Sequence, residues 1–218
     1  KCQSNLTVMD RIAQLGKYGL FDARVPRYTS YPTSPQFTPA IDAAVFQSWV
    51  AAIAPGSRIS LYLHVPFCRR LCWFCACRTQ GMASDDPVRA YAETVLQEID
   101  LLARNLPSGV TLSRLHWGGG TPTYLSDEQM GDLMHHIRRW FQLTDDEKGE
   151  YSIEVDPRSV SAGRIHRLRG QGFNRISLGV QDFDPEVQKA VNRLQPEAMT
   201  LEVIRAAREA KFRSISID

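Results

Sequence analysis

Four of the chain's five cysteines stand within ten residues, Cys68, Cys72, Cys75 and Cys77, in the stretch "LYLHVPFCRRLCWFCACRTQ". Thiols this close can hold a metal ion, exchange disulfides or bind an iron–sulfur cluster. Structural zinc normally takes two distant ligand pairs that pin separate segments together, and no second pair exists here. Cys72 and Cys75 have the spacing of a redox dithiol, which leaves Cys68 and Cys77 without a task. Cysteines at x3 and x2 spacing can instead wrap three irons of a four-iron cluster, for which thiolates are the usual ligands. The fourth iron then stays open.

The thiols follow directly on Arg58 to Val65, an apolar run that reads as a strand. Four more strand candidates follow, Thr111 to Trp117, Tyr151 to Val155, Arg175 to Leu178 and Phe212 to Ile217, alternating with stretches of helical period. The first helix opens at Asp86-Pro87 and repeats apolar side chains at Val88, Tyr91, Val95, Ile99 and Leu102. The second opens at Ser126 with Gln129 three later, a capping-box spacing. A third runs through Val160, Ile165 and Leu168 to Gly172, and the fourth connection has two pieces, Asp184-Pro185 to Val191 and Pro196 to Ala210. This is an α/β chain of parallel strands with crossover helices. In such folds ligand-binding groups collect where strands end. Those ends carry Cys68, the run Gly118-Gly119-Gly120-Thr121, Glu154 and Asp156, Gln181, and Asp218.

Residues 1–56 read differently, with prolines at 26, 32, 35, 39 and 55 and a helix near Ala43 to Ala54. They are expected to form an arm wrapped on a barrel of residues 57–218.

The 26 basic and 24 acidic side chains nearly cancel, which gives no electrostatic case for nucleic acid or an anionic membrane. No apolar run approaches the roughly 20 residues that span a bilayer, and residues 1–19 lack a signal-peptide pattern. A cytoplasmic location is expected, so the glycosylation sequon Asn5-Leu6-Thr7 is disregarded.

Seven ordered blocks then carry a resemblance: "PRYTSYPT" (26–33), "LYLHVPFC" (61–68), "CWFCAC" (72–77), "LHWGGGTPTYL" (115–125), "IEVDPR" (153–158), "GFNRISLGVQDF" (172–183) and "VNR" (191–193). Over nearly the whole chain the sequence resembles the oxygen-independent coproporphyrinogen III oxidases, or coproporphyrinogen dehydrogenases, of the radical S-adenosylmethionine (SAM) enzymes. The resemblance implies a partial (β/α)6 TIM-like barrel. The chain ends with its fifth strand candidate, so a sixth strand and the family's C-terminal domain are expected to be missing, and weak or no turnover by these residues alone is expected.

It further implies a [4Fe-4S] cluster on Cys68, Cys72 and Cys75, and two SAM molecules. Tyr62, Gly119 and Glu154 match contacts to the first; Phe74, Gly120, Thr121, Gln181, Arg193 and Asp218 match contacts to the second. A 5′-deoxyadenosyl radical would remove hydrogen from a propionate β-carbon of coproporphyrinogen III, carbon dioxide would leave, and a vinyl group would remain. Two rounds give protoporphyrinogen IX. A low-potential donor such as flavodoxin or ferredoxin and a monomeric state are also implied.

In that family the cysteine matching Cys77 is not a cluster ligand, and Ala76 departs from the usual glycine. The substrate's propionates call for arginines, with Arg27, Arg69, Arg70, Arg158 and Arg175 as candidates. Tyr28 and Tyr31 are candidates to cover the site. Two rival readings are a haem-binding chaperone of the same superfamily and a non-catalytic metal-binding module.

Overall fold

The computed structural model describes residues 8–19, 21, 32–145 and 148–218. They fall into two compact units, Lys1–Ala44 and Val45–Asp218. The elements in chain order are α1 (Val8–Lys17), α2 (Ala43–Ala51), β1 (Arg58–Val65), β2 (Phe67–Cys68), β3 (Gln80–Gly81), α3 (Asp86–Asn105), β4 (Thr111–Gly119), α4 (Asp127–Trp140), β5 (Gln142–Leu143), β6 (Glu150–Val155), α5 (Ala162–Gly170), β7 (Arg175–Leu178), α6 (Pro185–Ala190), α7 (Glu197–Glu209) and β8 (Ser214–Ile217). The expected strands are present, but the second extends to Gly119 and the last begins at Ser214. α1 lies where no sustained period was read, and the two-residue strands β2, β3 and β5 are too short to leave one.

All pairings in the main sheet are parallel, and its order β1-β4-β6-β7-β8 simply follows the chain. A doubly wound sheet reverses its order at a switch point, whereas a barrel winds on without reversal. The sheet is therefore of the barrel type, and it is open between β1 and β8.

Buried and open positions alternate along the C-terminal part of β1, through β6 and β7, and over Leu115 to Trp117 of β4. Leu63, Val65, Leu115, Trp117, Tyr151, Ile153, Val155, Ile176 and Leu178 are buried in one core with Val88, Val95 and Ile99 of α3, Met130, Leu133, Met134 and Ile137 of α4, Ile165 and Leu168 of α5, and Val203, Ala206 and Ala207 of α7. The intervening positions are polar and partly open: Tyr62 and His64, His116, Ser152 and Glu154, Arg175 and Ser177. Parallel strands covered on both faces read as continuous apolar runs; this pattern instead marks one packed face and one face left for ligands.

Local signals explain the helix starts. At α4 the Ser126 hydroxyl accepts from Gln129 N at 3.1 Å while the Gln129 side chain accepts from Ser126 N at 2.9 Å, a complete capping box. At α3 the cap position is Asp85, which makes no side-chain cap bond, so Asp86 is the first helical residue rather than the cap. Pro87 sits in the first turn, where its missing N–H costs nothing. Among the described residues no helix is long and apolar enough to cross a membrane.

Candidate functional site

The cysteine loop leaves the C-terminal end of β1 and is fastened at both sides. Its base is closed by β2 and β3, which pair in parallel through Phe67 with Gln80 and Cys68 with Gly81. His64 reaches the far end of the loop, its Nε2 lying 2.9 Å from the carbonyl oxygen of Arg78. A carbonyl only accepts, so Nε2–H donates to it, and Nδ1 lies 2.9 Å from the Tyr62 hydroxyl.

On the other side, three consecutive residues after α6 grip three consecutive loop residues. Asn192 Nδ2 donates to Leu71 O at 2.9 Å, Arg193 Nη1 donates to Cys72 Sγ at 3.4 Å, and Trp73 N donates to Val191 O at 3.0 Å. Asn192 has φ 56°, a left-handed conformation that asparagine tolerates better than most residues.

The described cysteines, Cys68, Cys72, Cys75 and Cys77, are free thiols; Cys75 and Cys77 are exposed and the other two half-buried. Cys68 Sγ lies 3.3 Å from each of the Thr79 and Thr121 hydroxyls. Cys72 Sγ accepts from Arg193 and also from Arg158 Nη2 at 3.4 Å. Burial pushes the Cys77 thiol above its usual range, and the neighbouring Cys75 adds to the shift.

Tyr62, Gly119 and Glu154 meet at one spot, although they sit on three different strands. Gly119 N donates to Glu154 Oε2 at 3.2 Å, His116 Nε2 lies 3.1 Å from Glu154 Oε1, and the His116 ring stacks on Tyr62 with centroids 5.7 Å apart. Ser152 Oγ holds His116 Nδ1 at 2.6 Å. Burial raises the Tyr62 phenol, and the Glu154 charge raises it further. The register explains the grouping, since Tyr62 pairs with His116 and His116 with Ser152.

Phe74, Gln181 and Arg193 line a second spot, a cavity of about 210 Å³ bounded also by Val180, Val187 and Val191. Asp218 reaches Gln181 twice, its carbonyl accepting from Gln181 N at 2.9 Å and its Oδ2 lying 3.5 Å from Gln181 Nε2. Gly120 and Thr121 do not line that cavity. They lie against Phe67 and Cys68, with Gly120 N donating to Val65 O and Thr121 N to Phe67 O, each at 2.8 Å.

The candidate arginines separate. Arg175 Nη2 donates to Glu150 at 3.2 Å. Arg158 is clasped to Asp156, while Arg69 lies 4.5 Å over the Tyr124 ring and 3.8 Å from Asp85. Arg70 is exposed. Arg27, Tyr28 and Tyr31 fall outside the described residues, as does the sequon at Asn5 to Thr7.

A family model described as the radical SAM superfamily matches residues 62–218, from Tyr62 on β1 to the last residue. The chain belongs to the radical SAM superfamily. Over 210 residues, 96% of the chain, it is 53% identical to an oxygen-independent coproporphyrinogen III oxidase of Paracoccus denitrificans, covering 46% of that protein. It is 45% identical over 193 residues to the oxidase of the same name from Escherichia coli, covering 88% of this chain and 41% of the relative. A solved coproporphyrinogen III oxidase from Escherichia coli superposes with a TM-score of 0.81 at 42% identity, over 88% of this chain and 43% of its own. The chain therefore spans under half the length of these relatives.

The donor set of this radical SAM chain suits an iron–sulfur cluster. Among the described residues no three His, Cys, Asp or Glu side chains converge as a single metal ion requires. A cluster asks for less, because each thiolate meets its own iron. Cys68 and Cys72 already have hydrogen-bond donors aimed at their sulfurs, as anionic ligands need. His64, His116, Ser152 and Asn192 were missed as site residues in the sequence. A signal for three of them existed, since polar side chains at alternate strand positions in line with Tyr62 and Glu154 mark the open face.

Proposed function

We propose that the chain is the cluster- and SAM-binding part of an oxygen-independent coproporphyrinogen III oxidase, acting in porphyrin and haem biosynthesis. Cys68, Cys72 and Cys75 hold a [4Fe-4S] cluster. Two SAM molecules flank it, one at Tyr62, Gly119 and Glu154, the other reaching from the cavity of Phe74, Gln181 and Arg193, beside Asp218, towards Gly120 and Thr121 next to Cys68. When bound, the cluster would supply the single electron that cleaves SAM, and the radical chemistry that follows would convert two propionates of coproporphyrinogen III to vinyl groups, each losing carbon dioxide and passing one electron to an acceptor. The electron comes from a low-potential carrier such as flavodoxin or ferredoxin.

The observation that carries this reading is the convergence of Tyr62, Gly119 and Glu154 beside the cysteine loop in a chain 53% identical to a named oxidase. Each residue has a task that its chemistry allows. The Glu154 carboxylate, oriented by Gly119 N and His116, offers a negative charge to an ammonium or an acceptor to ribose hydroxyls. Phe74 gives an apolar face and Gln181 a polar end to the second cavity. Arg193 Nε is buried and has no acceptor among the described residues.

Anaerobic reconstitution followed by iron and sulfide analysis and electron paramagnetic resonance (EPR) with and without SAM tests the reading. About four irons per chain and a spectrum changed by SAM are expected. Zinc uptake, or four irons with no response to SAM, would sink it. Vinyl formation is then assayed with the complete protein.

A further inference from the structure

We infer that Arg158 is a positioning residue that sets the reduction potential of the cluster by donating, together with Arg193, to the sulfur of Cys72; this rests on the cluster reading above. The two guanidiniums come from separate places in the chain and meet at one atom. Arg158 Nη2 and Arg193 Nη1 each stand 3.4 Å from Cys72 Sγ. Behind them, Asp156 takes both: its Oδ2 accepts from Arg158 Nη2 at 2.7 Å, and its Oδ1 lies 3.5 Å from Arg193 Nη2.

The group is nearly dry, with side-chain exposures of 15% for Asp156, 11% for Arg158 and 9% for Arg193. Two positive charges share one carboxylate, so one positive charge is left over in a place where an uncompensated charge is costly. The remaining partners of the two arginines are neutral carbonyls, of Asn192 at 3.4 Å and of Gly179 at 2.6 Å. A thiolate at Cys72 completes the balance.

Among the described residues the other two proposed ligands have no charged donor. Among the described residues Cys68 Sγ meets the hydroxyls of Thr79 and Thr121, and Cys75 is exposed. Charge-assisted hydrogen bonds are roughly twice as strong as neutral ones. Hydrogen bonds to the sulfurs are among the levers that set a cluster's potential. Donors and positive charge favour the more negative, reduced state, so Arg158 raises the potential and eases the entry of the electron. This use of Arg158 also takes it out of the set that could reach a substrate propionate.

The test is an EPR-monitored redox titration of the reconstituted wild-type chain, Arg158→Gln and Arg158→Lys, with iron analysis of each. Arg158→Gln is expected to keep wild-type iron content and to titrate at a more negative midpoint, with Arg158→Lys in between. A full iron load with an unchanged midpoint would overturn the inference while leaving the cluster reading intact. So would loss of iron in both variants, because Arg158 would then only hold the loop in place. Failure of the wild-type chain itself to take up iron would overturn the cluster reading instead.

Discussion

Asn192 Nδ2 donates to the carbonyl of Leu71 across 121 positions of chain, at 2.9 Å. With its neighbours Val191 and Arg193 it ties the turn after α6 to the exposed cysteine loop. The β2–β3 pairing closes only the base of the loop, and at its tip Trp73 and Phe74 are 74% and 48% exposed and contribute little burial.

Asn192 therefore has two separable duties, its left-handed backbone and its amide. Asn192→Gly keeps the first and loses only the latch, whereas Asn192→Ala loses both. The alanine variant is expected to be less stable than the glycine variant by about 1 kcal/mol, by chemical denaturation. Both should speed labelling of Cys72 by a thiol reagent in the metal-free protein; unchanged labelling would mean the latch does not order the loop.

Asp156 carries the buried ion pairs. Burial opposes its ionisation, but the hydrogen bonds and charge of Arg158 and the charge of Arg193 outweigh that and hold its carboxyl below the usual carboxylate range. Asp156→Asn should cost about 3 kcal/mol at neutral pH. A depressed folded-state value gives stability that is complete above the unfolded value near 3.8 and is lost as pH falls through the lower folded value. The wild-type advantage should thus shrink below that pH, and a gap that persisted there would point to packing rather than charge.

Gly120 is where the β4 rim meets the start of the cysteine loop. A Cβ there would strike the Thr79 hydroxyl and come within 2.7 Å of Phe67 O. Since Phe67 backbone cannot yield without moving Cys68, Gly120→Ala is expected to cost about 1–3 kcal/mol and to reduce iron uptake, read by denaturation and by iron analysis. Wild-type values for both would show that the rim can relax.

Cysteine replacements divide the four thiols. Serine at Cys68, Cys72 or Cys75 should abolish the reconstituted cluster, whereas Cys77→Ser should retain it with full iron content. Loss of iron on replacing Cys77 would make it a ligand and close the position that SAM needs.

Much of this protein is local and so could be read from the chain. Apolar periods, the Ser126 and Gln129 capping box and the cysteine spacing each involve residues a few positions apart, and the observed strands and helices follow them closely. The polar residues at strand ends could likewise be gathered to one rim, because every parallel strand points the same way. Residues 8–17 escaped, although they form α1 and space Val8, Ile12 and Leu15 as a helix would, since ten residues give the period little length over which to repeat.

The amino-acid order by itself determined the cysteine spacing, the βα alternation and the family to which these motifs belong. Only the tertiary structure decided that Arg158 and Arg193 both face Cys72, that Asp156 serves the two of them, and that Asn192 latches Leu71. Such pairings depend on the register of neighbouring strands and on where the turns that follow them fall. A shift of one residue in a strand would turn each of its side chains to the opposite face, and no local propensity encodes that.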